Sequence, residues 1–280
     1  MAIDTFEGAR VAITGGATGL GQAVARRMAA DGARISVCGL GETDVAAGVD
    51  ALRAAGSPEV RGAVVDVTDR AALDGWIDDT VAAFGGLDVG WNNAGMMLPG
   101  APMQDRDYAD AERLLSVNLL AVYRGSQRFA QVMAAQGTPA LILNTGSENS
   151  LFHGVPGGAA YVASKMAVRG LTLSLRQDVP DFVDVKLLCP GFVHTALGPD
   201  EQMRHGMDAG QFADIVYPQL TQAGRFYVVS HGFNAERVRR QTAHILEDIE
   251  SGALSADATE RYDTYTLMGL DDWGDPLDAG

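Results

Sequence analysis

Cysteine is scarce in this chain, which has only Cys38 and Cys189 among its 280 residues. The two lie far apart, each inside a short apolar run, so we expect two buried thiols in a reducing compartment rather than a disulfide or a reactive thiol. The first residues, Met1–Glu7, include acids where a secretory signal would carry positive charge before an apolar stretch. The sequence therefore predicts a cytoplasmic protein.

Basic charge and long hydrophobic runs are lacking too. The 21 Lys and Arg residues are outnumbered by 36 Asp and Glu residues, and the net charge of −15 has the wrong sign for binding nucleic acid. Apolar runs fall short of the roughly 18 residues that a membrane span needs. The five histidines show no metal-ligand spacing, so we expect no metal site. The expected partner is a small-molecule substrate, and neither nucleic acid nor a membrane.

The pattern of apolar runs predicts the fold. Short runs rich in Val, Ile and Leu alternate with longer segments of helical period, which is typical of parallel strands covered by helices on both faces. Open α/β folds of this length often form one domain. We therefore predict an α/β fold, a doubly wound parallel sheet of the Rossmann type, in a single domain over residues 1–280.

The predicted elements follow this alternation. Strands are predicted at Arg10–Thr14, Arg34–Cys38, Arg61–Val65, Leu87–Trp91, Ala140–Thr145, Val183–Cys189 and Arg225–Ser230. Helices are predicted at Gly19–Asp31, Glu42–Ala55, Asp69–Phe84, Asp105–Ala135, Ala159–Val179 and Ala235–Ser251. Residues 194–224 have no clear pattern, and residues 235–280 are expected to form a C-terminal helix and tail.

A glycine-rich turn joins the first predicted strand to the first predicted helix. Glycines there let the backbone approach a pyrophosphate, whose charge the amides and the helix dipole stabilise. A tight structural turn is the alternative, but open sheets bind dinucleotides at this place in the chain. We therefore expect cofactor contacts from Gly15, Ala17, Thr18, Gly19, Leu20 and Gly21.

The turn resembles T-G-x-x-x-G-x-G of the short-chain dehydrogenase/reductase family, and further matches follow in the family's order. They are Asp66-Val67, Asn92-Asn93-Ala94-Gly95, Asn118 in Val117-Asn118-Leu119, Ser147 in Asn144–Ser147, Tyr161–Lys165 (Y-x-A-S-K) and Pro190–Thr195 (P-G-x-V-x-T). They span about residues 8 to 195. The resemblance implies an NAD(P)-dependent oxidoreductase that interconverts a secondary alcohol and a ketone.

The resemblance also implies most of the remaining cofactor contacts. Asp66 and Val67 would meet the adenine, and Asn93, Ala94 and Gly95 would line the cofactor channel. Pro190, Gly191, Val193 and Thr195 would meet the nicotinamide, whose ribose Lys165 would hold beside Tyr161.

Tyr161 and Lys165 are the predicted centre of the chemistry. Four residues apart on a helix, they share a face, and an ammonium near a phenol favours its anion. Tyr161 would then exchange a proton with the substrate oxygen, which Ser147 would hold by a hydrogen bond. By resemblance, Asn118 would open its helix locally and hold a water that links Lys165 to solvent. Ser147 lies one residue further from Tyr161 than is usual in the family, which we interpret as an insertion within Glu148–His153.

The choice of nicotinamide depends on the end of the second strand. Gly39 stands where the family's NAD enzymes have an acid, and Leu40 where NADP enzymes often have arginine. Glu42 and Asp44 lie close by and would repel a 2′-phosphate. The sequence therefore favours NAD, with NADP held by backbone amides and hydroxyls as the alternative.

The family places a substrate lid at residues 195–224, and apolar residues there and beside the motifs predict a bulky, apolar or aromatic substrate. These residues are Met203, Met207, Phe212, Ile215 and Tyr217, with Met97, Leu98, Phe152, Val155 and Phe192 near the motifs. Apolar residues in such a segment pack in the core more often than they contact a ligand, so core packing competes with this interpretation for those in the lid.

Other activities and assemblies remain open at this stage. Net epimerisation or dehydration is an alternative, and so is a dinucleotide sensor without turnover, although the complete Ser, Tyr and Lys set disfavours the sensor. The family pairs its fourth and fifth helices across a two-fold axis, here Asp105–Ala135 and Ala159–Val179. Because the chain lacks the V-D-G-G ending of many tetramers, a homodimer is favoured over a homotetramer.

Overall fold

The computed structural model of the chain describes residues 3–195, 197 and 203–252. At its centre lies a parallel sheet of seven strands in the order β3-β2-β1-β4-β5-β6-β7. The strands are β1 Arg10–Thr14, β2 Arg34–Gly39, β3 Val60–Val64, β4 Val89–Asn92, β5 Ala140–Thr145, β6 Val183–Cys189 and β7 Tyr227–Val229. The strand order reverses between β1 and β4, which confirms the predicted doubly wound sheet.

Helices follow most of the strands. They are α1 Gly19–Ala30, α2 Glu42–Ala54, α3 Arg70–Phe84, α4 Tyr108–Leu115, α5 Ala121–Gln136, α6 Ala159–Asp178, α7 Ala209–Leu220 and α8 Ala235–Gly252. Asp69, predicted as the first residue of α3, is instead its cap, and its carboxylate accepts hydrogen bonds from the Ala71 and Ala72 amides. Gly85 ends the helix in the left-handed conformation, at φ +75°.

The predicted strand Arg225–Ser230 is shorter, Tyr227–Val229, and two further elements were wrong in their bounds for identifiable reasons. The predicted helix Asp105–Ala135 is divided: a 3₁₀ turn ends at Asp105, Asp107 caps α4, and a π-helical stretch, Ser116–Leu120, separates α4 from α5. The predicted strand Leu87–Trp91 begins two residues later, because the Gln136 side chain bonds both the amide and the carbonyl of Leu87.

Side chains alternate between two cores along β1. Val11 and Ile13 belong to a cluster that includes residues of α1, α2 and α7, whereas Ala12 belongs to one with residues of α3 and α5. Both cysteines are buried and free, as predicted. Burial raises the pKa of the Cys38 and Cys189 thiols to about 12, so neither is a ready nucleophile.

The segment predicted to act as a lid contains a core helix. Within residues 195–224, α7 lies against α1 and buries Phe212, Ala213, Val216 and Leu220. The Tyr217 ring packs on Phe6 at 5.1 Å between centroids. Phe212 therefore packs in the core and Tyr217 against it, which is the more frequent role of apolar residues in such a segment.

A helix that spans a bilayer needs about 20 predominantly apolar residues. No helix among residues 3–195, 197 and 203–252 is long and apolar enough to cross a membrane.

Candidate active site

The predicted motifs meet at one edge of the sheet. Four neighbouring strands, β1, β4, β5 and β6, end there at Thr14, Asn92, Thr145 and Cys189. The chain turns to opposite faces after β1 and β4, and this switch point is where open α/β sheets form their ligand crevice.

The glycine turn has the backbone needed for close approach of a phosphate. Gly15 and Gly19 have φ of +62° and +55°, and a Cβ at Gly15 would lie 2.9 Å from the Ala94 Cα. Helix α1 begins at Gly19, and the side chain of its cap residue, Thr18, makes no hydrogen bond to the first turn. Amides at this helix end are left without a side-chain partner, and the turn therefore fits a pyrophosphate. Ala17 is buried behind it, and Leu20 packs against the core.

The Asn-Asn-Ala-Gly turn after β4 is fastened to the glycine turn. The Thr14 hydroxyl accepts hydrogen bonds from the Asn93 and Ala94 amides at 2.9 and 3.1 Å, and the Asn93 side chain donates to the Gly15 carbonyl at 3.0 Å. A Cβ at Gly21 would lie 2.5 Å from the side-chain nitrogen of Asn93 and 2.8 Å from the Gly15 carbonyl oxygen. Glycine at this position therefore leaves room for the bond between Asn93 and Gly15.

The predicted adenine and ribose residues lie at the ends of β2 and β3. Gly39 ends β2, and the Leu40 side chain beside it is 68% exposed. Asp66 is exposed and accepts hydrogen bonds from the Thr68 amide and hydroxyl, which lower its pKa. Val67 is buried. The exposed Leu40 side chain offers an apolar surface, and Asp66, held by Thr68, offers a fixed polar group. Both are features that suit a purine nucleoside.

Ser147, Tyr161 and Lys165 are brought together beside these turns. Tyr161 and Lys165 lie one turn apart on α6, and the Ser147 side chain, just after β5, hydrogen-bonds with Tyr161. The Lys165 ammonium donates to the Thr145 carbonyl at 2.9 Å and lies 5.8 Å from the centre of the Tyr161 ring. A 3₁₀ turn, Glu148–Ser150, lies within the segment to which we assign the residue extra to the family spacing.

The electrostatics of this trio differ from the expectation. Burial raises the pKa of Tyr161, the bond from Ser147 lowers it, and the charge of Glu148 raises it. Lys165 does not produce the expected lowering, because its ammonium is directed at the Thr145 carbonyl. Burial also lowers the pKa of Lys165 to about 8.

Asn118 lies in the π-helical stretch, where the helix is locally widened. The buried side chain accepts a bond from the Met96 amide at 2.8 Å and donates to the Met96 carbonyl at 2.9 Å. Gly95 stands between Asn118 and Lys165, since a Cβ there would lie 3.5 Å from the Asn118 oxygen and 3.9 Å from the Lys165 nitrogen. Asn118 is thus held by two hydrogen bonds to Met96, and Gly95 separates it from Lys165.

The segment Pro190–Thr195, which follows β6, lies between the Ser147 loop and the glycine turn. The Pro190 carbonyl accepts a hydrogen bond from the Glu148 amide, and Gly191 faces His231, whose ring lies 2.5 Å from the position of a Cβ on Gly191. Val193 is buried and pairs with Met207. The side chain of Thr195 would meet a Gly19 Cβ at 3.7 Å. The segment therefore runs from the Ser147 loop to the glycine turn, as a nicotinamide contact requires.

Sequence reasoning missed Asn149 and Ser150. Asn149 donates to the Ser147 hydroxyl from both its backbone amide, at 3.1 Å, and its side chain, at 3.3 Å, so the hydroxyl proton is left to donate elsewhere. The Ser150 hydroxyl donates to the Lys165 carbonyl and accepts from the Ser147 amide, joining the loop to α6. The serine pair three residues apart has capping-box spacing, which was the available signal.

A metal site needs several ligating side chains directed at one point. Within the described ranges, no group of three or more His, Cys, Asp or Glu residues is placed to hold a metal ion.

Known proteins resemble the chain over most of its length. The short chain dehydrogenase family matches residues 9–205. A curated relative, 3beta-hydroxysteroid dehydrogenase 2 of Eggerthella lenta, is 35% identical over 219 residues, 78% of this chain and 83% of the relative. Levodione reductase of Leifsonia aquatica is 31% identical over 189 residues, 67% of this chain and 70% of the relative.

Solved structures agree with these relatives. A short chain dehydrogenase/reductase from Burkholderia phymatum, in complex with NAD, superposes with a TM-score of 0.80 at 30% identity and covers 90% of this chain and 98% of its own. The chain therefore belongs to the short-chain dehydrogenase/reductase family and is an oxidoreductase of alcohol and carbonyl groups that uses a nicotinamide dinucleotide.

Proposed function

We propose that this protein transfers hydride between NAD and a bulky, largely uncharged secondary alcohol or ketone, in the cytoplasm and as a homodimer. The observation that carries the proposal is the meeting of Ser147, Tyr161 and Lys165 beside a glycine turn at the sheet's switch point. The complete set of Ser147, Tyr161 and Lys165 also favours an enzyme over a dinucleotide sensor that lacks catalytic activity.

The chain's own residues divide the work. When bound, the dinucleotide accepts or supplies the hydride. Ser147 holds the substrate oxygen by donating the proton that Asn149 leaves free. The Tyr161 hydroxyl takes the alcohol proton in oxidation and returns it to the carbonyl oxygen in reduction. Lys165, whose ammonium bonds the Thr145 carbonyl in this structure, would stabilise the phenolate by its charge once the dinucleotide is bound, and Asn118 lies where it would hold a water between Lys165 and solvent.

The preference for NAD rests on the end of β2. Gly39 and the exposed Leu40 supply no cation for a 2′-phosphate. A Cβ at Gly39 would lie 3.4 Å from Val45, an ordinary contact, so the strand end tolerates a side chain. The Burkholderia phymatum relative, which is in complex with NAD, supports the same choice.

Substitutions at this strand end test the preference. We expect Gly39→Asp to strengthen the preference for NAD by supplying a ribose acceptor, and Leu40→Arg to shift it toward NADP by pairing with the 2′-phosphate. The measurement is the ratio of kcat/KM for the two cofactors in each variant. If neither substitution changes this ratio, the 2′-position of the adenosine ribose does not bind at the end of β2.

Apolar side chains near the site support a bulky substrate. Phe192 and Leu197 follow β6 and are 45% and 39% exposed, and Met97 and Leu98, after the Asn-Asn-Ala-Gly turn, are partly exposed. Apolar walls favour apolar ligands, and a net charge of −15 does not attract anions. The names of the hydroxysteroid dehydrogenase and levodione reductase relatives point to cyclic substrates.

A substrate panel tests the activity and the substrate class together. We expect kcat/KM to be highest for polycyclic or aromatic ketones and alcohols, with one reduced nicotinamide consumed or formed per turnover, read from its absorbance. Product formation without net change in the cofactor would instead indicate epimerisation or dehydration. A small anionic keto acid as the best substrate would refute the substrate class but leave hydride transfer intact.

Exposed apolar side chains support a homodimer. Leu120 and Tyr123 are 61% and 58% exposed and lie three residues apart at the start of α5, and Met166 is exposed on α6. These are the two helices that the family pairs across a two-fold axis.

A further inference from the structure

Helix α8 lies outside the family match and has no buried residue. The bonds and ring contacts that join it to the rest of the described chain come from Arg237, which bonds Asn234 and stacks on Phe152 and Phe233, and from Gln241, which accepts from the His153 amide. Further along, Ile245, Leu246 and Ile249 are 50%, 51% and 62% exposed. A helix of this length is marginal in water unless its apolar side is covered.

Three apolar residues and one threonine have the spacing of a helix-pairing seam. Val238, Thr242, Ile245 and Ile249 recur at alternating steps of four and three, which places them on one stripe of the helix. The stripe is self-complementary when two copies run antiparallel. Val238 of one copy then lies opposite Ile249 of the other, and Thr242 opposite Ile245.

The charges of α8 are divided between its two halves. The first half carries Arg237, Arg239 and Arg240, and the second half carries Glu247, Asp248 and Glu250. This order opposes the helix dipole, which favours acids near the start of a helix and bases near its end. It destabilises α8 in isolation, although Glu236 pairs with Arg239 and Arg240. In an antiparallel pair of copies, the basic half of each helix lies beside the acidic half of the other.

We propose that α8 pairs antiparallel with α8 of a second copy of this chain, across a two-fold axis. Such an interface is isologous, because each copy contributes the same surface. It uses other residues than the proposed α5 and α6 interface, so if both interfaces form, the homodimer proposed above is one half of a tetramer. It also borders the substrate side of the site, because Arg237 stacks on Phe152, five residues after Ser147.

Two kinds of variant test the pairing, with mass measured by light scattering on the full chain. We expect Ile245→Asp with Ile249→Asp to halve the mass of the assembly. Arg239→Glu with Arg240→Glu should weaken association about tenfold or more, because both halves of α8 are then acidic. Adding Glu247→Arg and Asp248→Arg restores opposite halves and should restore the wild-type mass.

The Arg239→Glu, Arg240→Glu variant distinguishes a loss of helix pairing from a loss of the helix itself. Reversing the arginines moves acids toward the start of α8, where the dipole favours them, so loss of association in that variant does not follow from a weakened dipole interaction. Arg26→Glu with Arg61→Glu, at exposed positions on α1 and β3, is the matched charge control and should keep the wild-type mass.

Two results would overturn the proposal. One is an unchanged mass in the Ile245→Asp, Ile249→Asp variant, which is the outcome if residues 253–280 of the same chain, or a different partner, cover the stripe. The other is failure of the four-residue exchange to restore an association that the arginine reversal weakens. Hydride transfer measured on the same samples reports separately on the proposed function.

Discussion

Replacing Tyr161 by phenylalanine is expected to lower kcat by roughly 10²–10⁴-fold, the usual contribution of a positioned acid or base. The ring remains, so its packing on α6 is kept, and only the hydroxyl that bonds Ser147 is lost. The dissociation constant for NAD, measured by calorimetry, should stay nearly unchanged. A large fall in kcat with intact cofactor binding identifies the hydroxyl as the group that exchanges the substrate proton.

The pH dependence strengthens this test. Oxidation of an alcohol requires the phenolate, so the wild-type rate should rise with pH until the Tyr161–Lys165 pair has titrated. The residual rate of the variant should lack that rise. Tyr108→Phe, on α4 and 74% exposed, is the matched control and should behave as wild type. If the Tyr161 variant kept more than about half of the wild-type kcat, another group would be the proton donor.

The doubly wound sheet and the order of the motifs along it were predictable because both follow from patterns along the sequence. A parallel sheet buried on both faces requires continuous apolar runs, and strands such as Ala140–Thr145 have them. Parallel strands end at a common edge, so motifs that follow successive strands must lie near one another. Family spacing then singled out Tyr161 from the other tyrosines.

What failed depends on contacts between distant parts of the chain. The π-helical stretch Ser116–Leu120 lies at Asn118, where the family resemblance implied a local opening of the helix, but the apolar period continues through it and did not mark the ends of α4 and α5. Phe212 suits a pocket wall as well as a core, and only the position of α7 against α1 decides between them. The pKa of Tyr161 depends on its burial and on where the Lys165 ammonium points, and spacing along a helix specifies neither.

Lys165 is expected to lower the stability of the fold while it supports catalysis. Its side chain is 5% exposed, and burial lowers its pKa from 10.5 to about 8. A shift of that size corresponds to about 3 kcal/mol of unfavourable free energy for the charged form at neutral pH. Because the unfolded chain binds the extra proton between pH 8 and 10.5, this cost is present in full below pH 8 and is relieved as the pH rises through that window.

Replacing Lys165 by methionine therefore separates function from stability. We expect kcat to fall by about 10²–10³-fold, as when a charged group that stabilises a developing anion is removed, and NAD binding to weaken if Lys165 also holds the ribose. Loss of the hydrogen bond to the Thr145 carbonyl lowers the free energy of unfolding by about 1–3 kcal/mol. This loss offsets much of the stability gained because the variant buries no charge. The free energy of unfolding at pH 7 should thus change little or rise.

The pH dependence of unfolding is the sharper readout. Other groups titrate in the same range in the unfolded chain, including the thiol of Cys189, so the informative quantity is the difference in free energy of unfolding between wild type and Lys165→Met. That difference should move in favour of wild type between pH 8 and 10, since only wild type carries a buried lysine that loses its proton there. A difference that stays constant over this range would mean that the lysine is not strained by burial. A variant that kept wild-type kcat would mean that its charge does not act on Tyr161.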